Sequence, residues 1–196
     1  MNNFQNESWV FLKEVYDKKN LPNHPLPEFA FWGRSNVGKS SLINCITKKK
    51  IAKTSKTPGR TRSIIFYELK NKFRLVDFPG YGFSNIPEND KFSMDKLISS
   101  YLTQENNLKK IFLLIDSRHG FKPIDNFILN NIEEISNKNI HIIFTKTDKL
   151  KKFDVKKLME SCDSKNKNKF HKSMFSTSIK QINGVVLLKK FLFRSL

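Results

Sequence analysis

The chain has few cysteines, few acidic residues and no long apolar run, and each shortage excludes a class of protein. Its two cysteines, Cys45 and Cys162, have neither the spacing of a zinc site nor the number that a disulfide framework needs. No segment is apolar over the roughly 20 residues of a membrane-spanning helix. No signal peptide or lipidation motif is recognisable at either end. We therefore expect a soluble, cytoplasmic protein in a reducing compartment, without a membrane partner.

Acidic residues are scarce relative to basic ones, and the imbalance bears on partners. The chain has 36 Lys and Arg against 18 Asp and Glu, a formal net charge of +18. Such an excess favours a polyanionic partner such as RNA or a ribosomal particle, and less strongly a membrane surface. The alternative is a Lys-, Asn- and Ile-rich composition of the kind that an AT-rich genome encodes. Hydrophobic residues make up 38% of the 196 residues, enough for the core of one compact domain.

Apolar runs alternate with turn residues and predict an α/β fold. Trp9, Leu12 and Tyr16 would share one side of a short helix over residues 5–18, and an extended lead-in would complete an N-terminal segment, 1–27. Residues 28–196 are predicted to form one domain with a doubly wound, mostly parallel sheet and one antiparallel hairpin strand. The expected strands are 28–32, 64–69, 73–76, 111–116, 140–144 and one ending at 176, and the expected helices are 39–47, 91–104, 123–135, 154–161 and 185–193.

A glycine-rich segment between the first strand and the first helix has the pattern of a phosphate-binding loop. Its two glycines let the backbone curl so that successive N–H groups face phosphate oxygens, and the helix that follows presents its positive end to the same anion. Lys39 would reach the β- and γ-phosphates, and the Ser40 hydroxyl would ligate Mg²⁺. The predicted phosphate contacts are Gly33, Arg34, Ser35, Asn36, Val37, Gly38, Lys39 and Ser40.

Two segments that follow later strands are candidates for the base-binding part of the site. In Thr145-Lys146-Thr147-Asp148, the Asp148 carboxylate can accept hydrogen bonds from N1–H and the exocyclic amine of guanine. Adenine offers no such pair of donors, so this carboxylate would be left unpaired by ATP. The stem of Lys146 can lie along the base plane. Phe175, Ser176 and Thr177 follow the last strand and could support the base through backbone and hydroxyl groups.

Two further loops have the residues that a triphosphate-sensing switch needs. Asp77-Phe78-Pro79-Gly80 ends a strand, so Asp77 can hold Mg²⁺ through a water and the Gly80 N–H can contact a γ-phosphate. Thr57-Pro58-Gly59-Arg60-Thr61 lies in the loop after the first helix, and Thr61 is the candidate for a second Mg²⁺ ligand. The predicted nucleotide contacts in this loop are Gly59, Arg60, Thr61, Arg62 and Ser63.

These motifs together resemble the EngB (YihA/YsxC) family of ribosome-assembly GTPases, within the translation-factor-related GTPases. The likeness covers nearly the whole chain, and its opening Gly33-Arg34-Ser35-Asn36 is quite specific. It implies a P-loop GTPase domain that binds GTP or GDP with Mg²⁺ and associates with the large ribosomal subunit and its rRNA during assembly. It also implies a link to normal cell division and septation. We expect the protein to act as a monomer.

The position that follows Gly80 predicts slow hydrolysis. Small signalling GTPases orient the attacking water with a Gln at this place, where this chain has Tyr81. Related GTPases with an Asn at the position of Asn36 recruit K⁺, which suggests by analogy that K⁺ assists here. Asn36 and the phosphate-loop residue Lys39 are the candidate catalytic residues, with Arg60 and Arg62 as alternatives whose other interpretation is contact with RNA or solvent. Arg62 and Ile65 stand where the family usually has Gln and often has Asn, and neither is a predicted phosphate ligand.

Two other functions share parts of this pattern. A P-loop ATPase or kinase would have the same phosphate loop, although Asp148 argues against adenine. An RNA-binding module in which the nucleotide only stabilises the fold would have the same charge. Candidate RNA contacts are the lysines within 48–50, 109–110, 149–152, 156–157 and 165–169.

Overall fold

The computed structural model describes residues 7–23, 25–53, 63–82, 87–104, 107–165 and 172–196. Within these residues the chain forms seven strands and five α-helices around one sheet. The strands are β1 (Trp9–Val15), β2 (Glu28–Gly33), β3 (Ile64–Leu69), β4 (Phe73–Asp77), β5 (Leu108–Asp116), β6 (Asn139–Thr145) and β7 (Ser173–Ser176). The helices are α1 (Lys39–Thr47), α2 (Glu88–Gln104), α3 (Pro123–Ile135), α4 (Lys152–Lys165) and α5 (Asn183–Arg194).

The strands are ordered β1-β3-β4-β2-β5-β6-β7 in a single sheet. β3 pairs antiparallel with both β1 and β4, whereas the pairs β4–β2, β2–β5, β5–β6 and β6–β7 are parallel. Six strands therefore run in one direction and β3 alone runs in the other. The predicted mostly parallel sheet with one antiparallel strand is confirmed.

The predicted helix over residues 5–18 is wrong, because residues 9–15 form the edge strand β1. Trp9 and Val15 are its buried residues, and the register with β3 shifts between Phe11 and Lys13. This bulge breaks the alternation of a regular strand and leaves apolar residues at a spacing that resembles a helix. The division of the chain at residues 27 and 28 stays a prediction.

The start of the described chain is anchored by a buried ion pair. Lys189 of α5 contacts Glu7 at 2.6 Å between Nζ and Oε2, and it also donates to the Ile46 carbonyl at the end of α1. The indole N–H of Trp9 donates to the same Glu7 oxygen at 2.8 Å. The segment before β1 is thus joined to two helices.

Helices cover both faces of the sheet, as a doubly wound fold requires. One core contains Ile98 and Tyr101 of α2 and Ile132 of α3, and the other contains Ile43 of α1 and Leu188 of α5. All six residues of β2 are buried, because this strand lies at the centre with helices on both sides. No helix within the described ranges has the length and hydropathy needed to cross a membrane.

The parallel strands end at one edge of the sheet, and the loops that follow them meet there. Gly33 ends β2 directly beside β5, where a Cβ atom would lie 2.9 Å from both the Cβ and the carbonyl oxygen of Leu114. This close approach excludes a side chain at position 33 and lets the next loop start next to the end of β5.

Candidate functional site

The loop between β2 and α1 has the curled backbone that its sequence predicts. Asn36 and Gly38 have φ angles of 59° and 106°, in the left-handed region, and α1 begins at Lys39. Successive N–H groups in such turns form an anion-binding concavity at the start of a helix. Asn36 is exposed and Val37 is buried. Gly33 to Ser40 therefore form one continuous strand–loop–helix unit.

An ion pair joins this loop to the end of β4. The Lys39 ammonium donates to Oδ1 of Asp77, and both side chains are largely buried. Burial raises the pKa of the Asp77 carboxyl, and the positive charge of Lys39 offsets part of that rise. The pair brings together the two residues that the sequence assigned to phosphate and to Mg²⁺.

Residues 78–81 lie directly against the loop. The indole of Trp32 donates to the Pro79 carbonyl at 2.9 Å, and the Ser35 N–H donates to the Tyr81 carbonyl at 3.2 Å. A Cβ atom on Gly80 would lie 2.5 Å from the Ser35 hydroxyl oxygen and 3.1 Å from its backbone nitrogen, so a side chain here would require Ser35 to shift. The structure thus places Phe78, Pro79 and Gly80 beside the predicted phosphate loop.

Lys146 lies over the same loop from the other side. Its backbone is left-handed, with φ of 57°, and its ammonium donates to the Asn36 carbonyl at 2.6 Å. The neighbouring Thr145 hydroxyl donates to the Val37 carbonyl at 2.6 Å. The segment after β6 is therefore hydrogen-bonded to the loop after β2, although more than a hundred residues separate them in the sequence.

Asp116, at the end of β5, was not among the predicted site residues. Its carboxylate accepts from Lys146 Nζ at 2.8 Å and from the Arg118 guanidinium at 2.8 and 3.0 Å. Burial by itself would raise the pKa of Asp116, but the hydrogen bonds from Arg118 and Lys146 outweigh it and hold the pKa well below its usual value. Its position at the end of a buried parallel strand was the signal that could have identified it.

Asp148 lines an open cleft with Ser178, a second residue that was not predicted. The Ser178 hydroxyl donates to Asp148 Oδ1 at 2.8 Å, and the side chain of Asp148 is 10% exposed. The cleft measures about 370 Å³ including its open mouth. It is lined by Gly38, Ser41, Leu42, Thr145, Lys146, Asp148, Thr177, Ser178 and Ile179.

The predicted residues after β7 lie at the cleft or behind it. Thr177 lines the cleft, but its hydroxyl donates to the Phe144 carbonyl at 3.1 Å. The Thr147 N–H donates to the Thr177 carbonyl at 3.2 Å, which joins this segment to the one that carries Asp148. Phe175 packs against Phe191, with ring centroids 5.1 Å apart, and Ser176 ends β7.

The remaining predicted contacts fall in the loop before β3. Gly59, Arg60, Thr61 and Arg62 lie outside the described residues. Ser63 is buried, and its hydroxyl donates to Glu14 of β1 at 2.5 Å. In this structure Ser63 therefore contacts the edge strand.

Over most of its length the chain is similar to proteins of one GTPase family. The family model described as "50S ribosome-binding GTPase" matches residues 28–146. The probable GTP-binding protein EngB of Mycoplasmopsis synoviae is 50% identical over 140 residues, which cover 71% of this chain and 74% of that protein. The probable GTP-binding protein EngB of Wolbachia pipientis subsp. Culex pipiens is 41% identical over 191 residues, covering 94% and 93%. The crystal structure of a probable GTP-binding protein EngB matches with a TM-score of 0.68 and 28% identity, covering 86% of this chain and 97% of that one.

Proposed function

The chain belongs to the EngB family of GTP-binding proteins, and we propose that it is a guanine-nucleotide switch in the assembly of the large ribosomal subunit. The observation that carries the proposal is the convergence of four loops, after β2, β4, β6 and β7, at one edge of the sheet. These loops place the Lys39 ammonium where it can bind phosphate and the Asp148 carboxylate where it can bind a base. The loop after β4, which contains Gly80, would sense a γ-phosphate.

Phosphate binding is assigned to the loop after β2. The N–H groups of Asn36 and Gly38 and those at the start of α1 would hold the α- and β-phosphates, because the Ser35 and Val37 N–H groups already donate to the Tyr81 and Arg34 carbonyls. Lys39 would exchange part of its contact with Asp77 for charge-assisted hydrogen bonds to phosphate oxygens. Arg34, Ser35 and Val37 would shape the loop around the phosphates through these internal backbone hydrogen bonds.

Guanine recognition is assigned to Asp148, with Lys146 along the base plane. Ser178 holds one Asp148 oxygen at 2.8 Å, which orients the carboxylate toward the cleft. A base without two adjacent donors would leave this carboxylate desolvated and unpaired, which is the basis for rejecting adenine. Thr145, Thr147, Phe175, Ser176 and Thr177 are proposed to support the base through the backbone contacts of their segments.

Mg²⁺ is proposed to bind beside the phosphate loop, where Ser40 lies at the start of α1 next to Lys39, which contacts Asp77. The hydroxyls of Ser40 and Thr61 would be its protein ligands, and Asp77 would act through a water, as hard cations prefer oxygen. The metal would neutralise charge on the phosphates during hydrolysis. Contacts from Gly59, Arg60, Arg62 and Ser63 belong to the same proposal.

Hydrolysis is proposed to be slow without help. The Tyr81 hydroxyl donates to buried Asp125 at 2.7 Å, so the hydroxyl of the residue after Gly80 is already engaged and is not free to orient a water. Asn36, exposed on the phosphate loop, is the candidate site of K⁺ stimulation. Equal single-turnover rates in KCl and NaCl would remove Asn36 and K⁺ from the mechanism.

The partner is proposed to be the large ribosomal subunit, contacted through its rRNA. The net charge of +18 supports binding to a phosphate backbone, and the matching family model describes 50S ribosome-binding GTPases. By family resemblance the protein would act in the cytoplasm as a monomer, with a link to cell division and septation.

The experiment that tests this function joins nucleotide choice to ribosome binding. We expect GTP and GDP, but not ATP, to displace a fluorescent GDP, and the protein to sediment with large subunits in the presence of a non-hydrolysable GTP analogue. Lys39→Ala should abolish both, whereas Lys156→Ala, which removes an exposed α4 lysine, should preserve nucleotide binding. Preference for ATP would favour an ATPase or kinase, and full ribosome binding by Lys39→Ala would favour an RNA-binding module. Binding to neither subunit in either nucleotide state would overturn the ribosomal role.

A further inference from the structure

Three segments of the protein meet at the buried carboxylate of Asp125, near the start of α3. The Tyr81 hydroxyl donates to Asp125 Oδ1 at 2.7 Å, and Arg34 Nε lies 3.1 Å from the same oxygen. The other oxygen accepts the Lys122 backbone N–H at 2.7 Å. Asp125 has no exposed surface, so these contacts are shielded from water.

The two side chains that contact Asp125 come from the two segments whose relative position determines whether a γ-phosphate can be bound. Arg34 belongs to the phosphate loop, and Tyr81 directly follows Gly80. The backbones of the two segments are also joined, since the Tyr81 N–H donates to the Gly33 carbonyl at 3.3 Å. Asp125, in α3, therefore contacts both the phosphate loop, through Arg34, and the segment after Gly80, through Tyr81.

A residue that only fills a core is usually apolar, whereas Asp125 is charged and contacts another charged side chain and a phenol. Placing a carboxylate, a guanidinium and a phenol away from water has a desolvation cost, and apolar residues of the same volume would often be as stable. The hydrogen bonds from the Tyr81 hydroxyl and the Lys122 N–H fix the orientation of the Asp125 carboxylate instead, and the Arg34 guanidinium adds an ion pair. The Arg34 guanidinium is oriented further by the Gly120 carbonyl, at 3.3 Å.

We propose that Asp125 is a positioning residue that strengthens the binding of nucleoside triphosphate relative to that of diphosphate. By holding Tyr81 and Arg34 together, it keeps the Gly80 N–H against the phosphate loop, where a γ-phosphate would be bound. A diphosphate does not reach Gly80, so its affinity does not depend on these contacts. This inference rests on the proposed function, because it assumes that the cleft binds guanine nucleotides.

The size of the expected change in affinity depends on the fraction of molecules whose 78–82 segment is competent to bind triphosphate. Without the Tyr81 hydroxyl, the 78–82 segment has more arrangements, and the apparent affinity for triphosphate falls by the fraction that is competent to bind it. Loss of one hydrogen bond to a buried charge corresponds to a change of about tenfold in that fraction. Tyr81→Phe is therefore expected to weaken binding of a non-hydrolysable GTP analogue about tenfold, with GDP affinity within about twofold of the parent.

The test is calorimetric titration of the full chain with GDP and with the analogue. Tyr101→Phe is the matched control, because Tyr101 is also buried and its hydroxyl donates to a carboxylate, that of Glu28, in the core. Tyr101→Phe should leave unchanged the ratio of the affinity for the GTP analogue to the affinity for GDP. Asp125→Asn, which retains an acceptor for the Lys122 N–H, should lower the ratio as Tyr81→Phe does.

The outcomes separate this inference from the function on which it rests. A wild-type ratio in folded Tyr81→Phe overturns the inference while the GTP site stands. An equal loss of affinity for both nucleotides assigns Tyr81 to general stability and also overturns it. If the parent chain binds neither nucleotide, the proposed function fails, and the inference with it.

Discussion

Ser178 offers the sharpest test of the base-binding cleft, because the sequence motifs did not include it. In Ser178→Ala the Asp148 carboxylate loses a donor at 2.8 Å. A hydrogen bond to a charged group contributes about 1.5–3 kcal/mol. With Asp148 10% exposed, water can replace only part of the lost contact. We therefore expect the Kd for GDP to rise about tenfold, which corresponds to about 1.4 kcal/mol.

Calorimetric titration with GDP measures the effect of Ser178→Ala directly. Ser178 Oγ also accepts the Lys180 N–H at 3.0 Å and the Gln181 N–H at 3.2 Å, so the variant should lose about 1 kcal/mol of stability as well. Ser178→Thr keeps the hydroxyl and should restore most of the affinity.

A matched control separates the two effects of Ser178→Ala. Ser195→Ala removes a hydroxyl that donates to the Phe191 carbonyl at 2.8 Å, at the far end of α5. It should leave GDP binding unchanged. An unaltered Kd in folded Ser178→Ala would refute the idea that Ser178 orients Asp148.

Three other substitutions test the energetics of the fold. The pKa of Asp116 is lowered in the folded state by Arg118 and Lys146, so Asp116 stabilises the protein above the unfolded pKa of about 4, and this stabilisation is lost as pH falls through the folded value. Asp116→Asn should therefore flatten the dependence of unfolding free energy on pH in the acid range, measured by urea denaturation. Gly33→Ala should destabilise by about 1–3 kcal/mol, because its Cβ would lie 2.9 Å from Leu114. Arg74→Leu should cost about 3–5 kcal/mol, because it removes the cation 2.9 Å from buried Glu28.

Each of these expectations has a result that contradicts it. An acid-range slope equal to that of the parent in Asp116→Asn would mean that Asp116 titrates normally. A fully stable Gly33→Ala would mean that β2 and β5 can separate without cost. A neutral Arg74→Leu would mean that the Glu28 carboxylate is protonated or hydrated once Arg74 is gone.

The sequence predicted the elements from β2 onward because their patterns are local. β2, β5 and β6 are apolar runs buried on both sides, and Pro123 starts α3 as its fixed φ favours. The edge strand β1 was wrongly predicted as a helix, because its bulge between Phe11 and Lys13 disturbs the period of two on which strand prediction depends. A one-sided edge strand with a bulge does not carry enough signal in its own residues.

The candidate site could be proposed from the sequence where one residue type suits one chemistry. Lys39, Asp77 and Asp148 stand in short motifs whose spacing is typical of nucleotide-binding proteins. Ser178 and Asp116 were missed because a serine or aspartate after a strand is common in any loop. The contact of Tyr81 with Asp125, 44 residues apart in the sequence, depends on the packing of α3 and has no local pattern.

The buried pair of Glu7 and Lys189 also sets an order of events during synthesis. Glu7 emerges early, but its partner lies in α5, so the anchor forms only after nearly all of the described chain has been made. Until then the sheet face that α5 covers, with Phe73 packed on Phe193 and Phe112 on Phe191, is open to solvent. Chains that stall before α5 therefore expose a large aromatic surface, which makes them targets for chaperones and proteases.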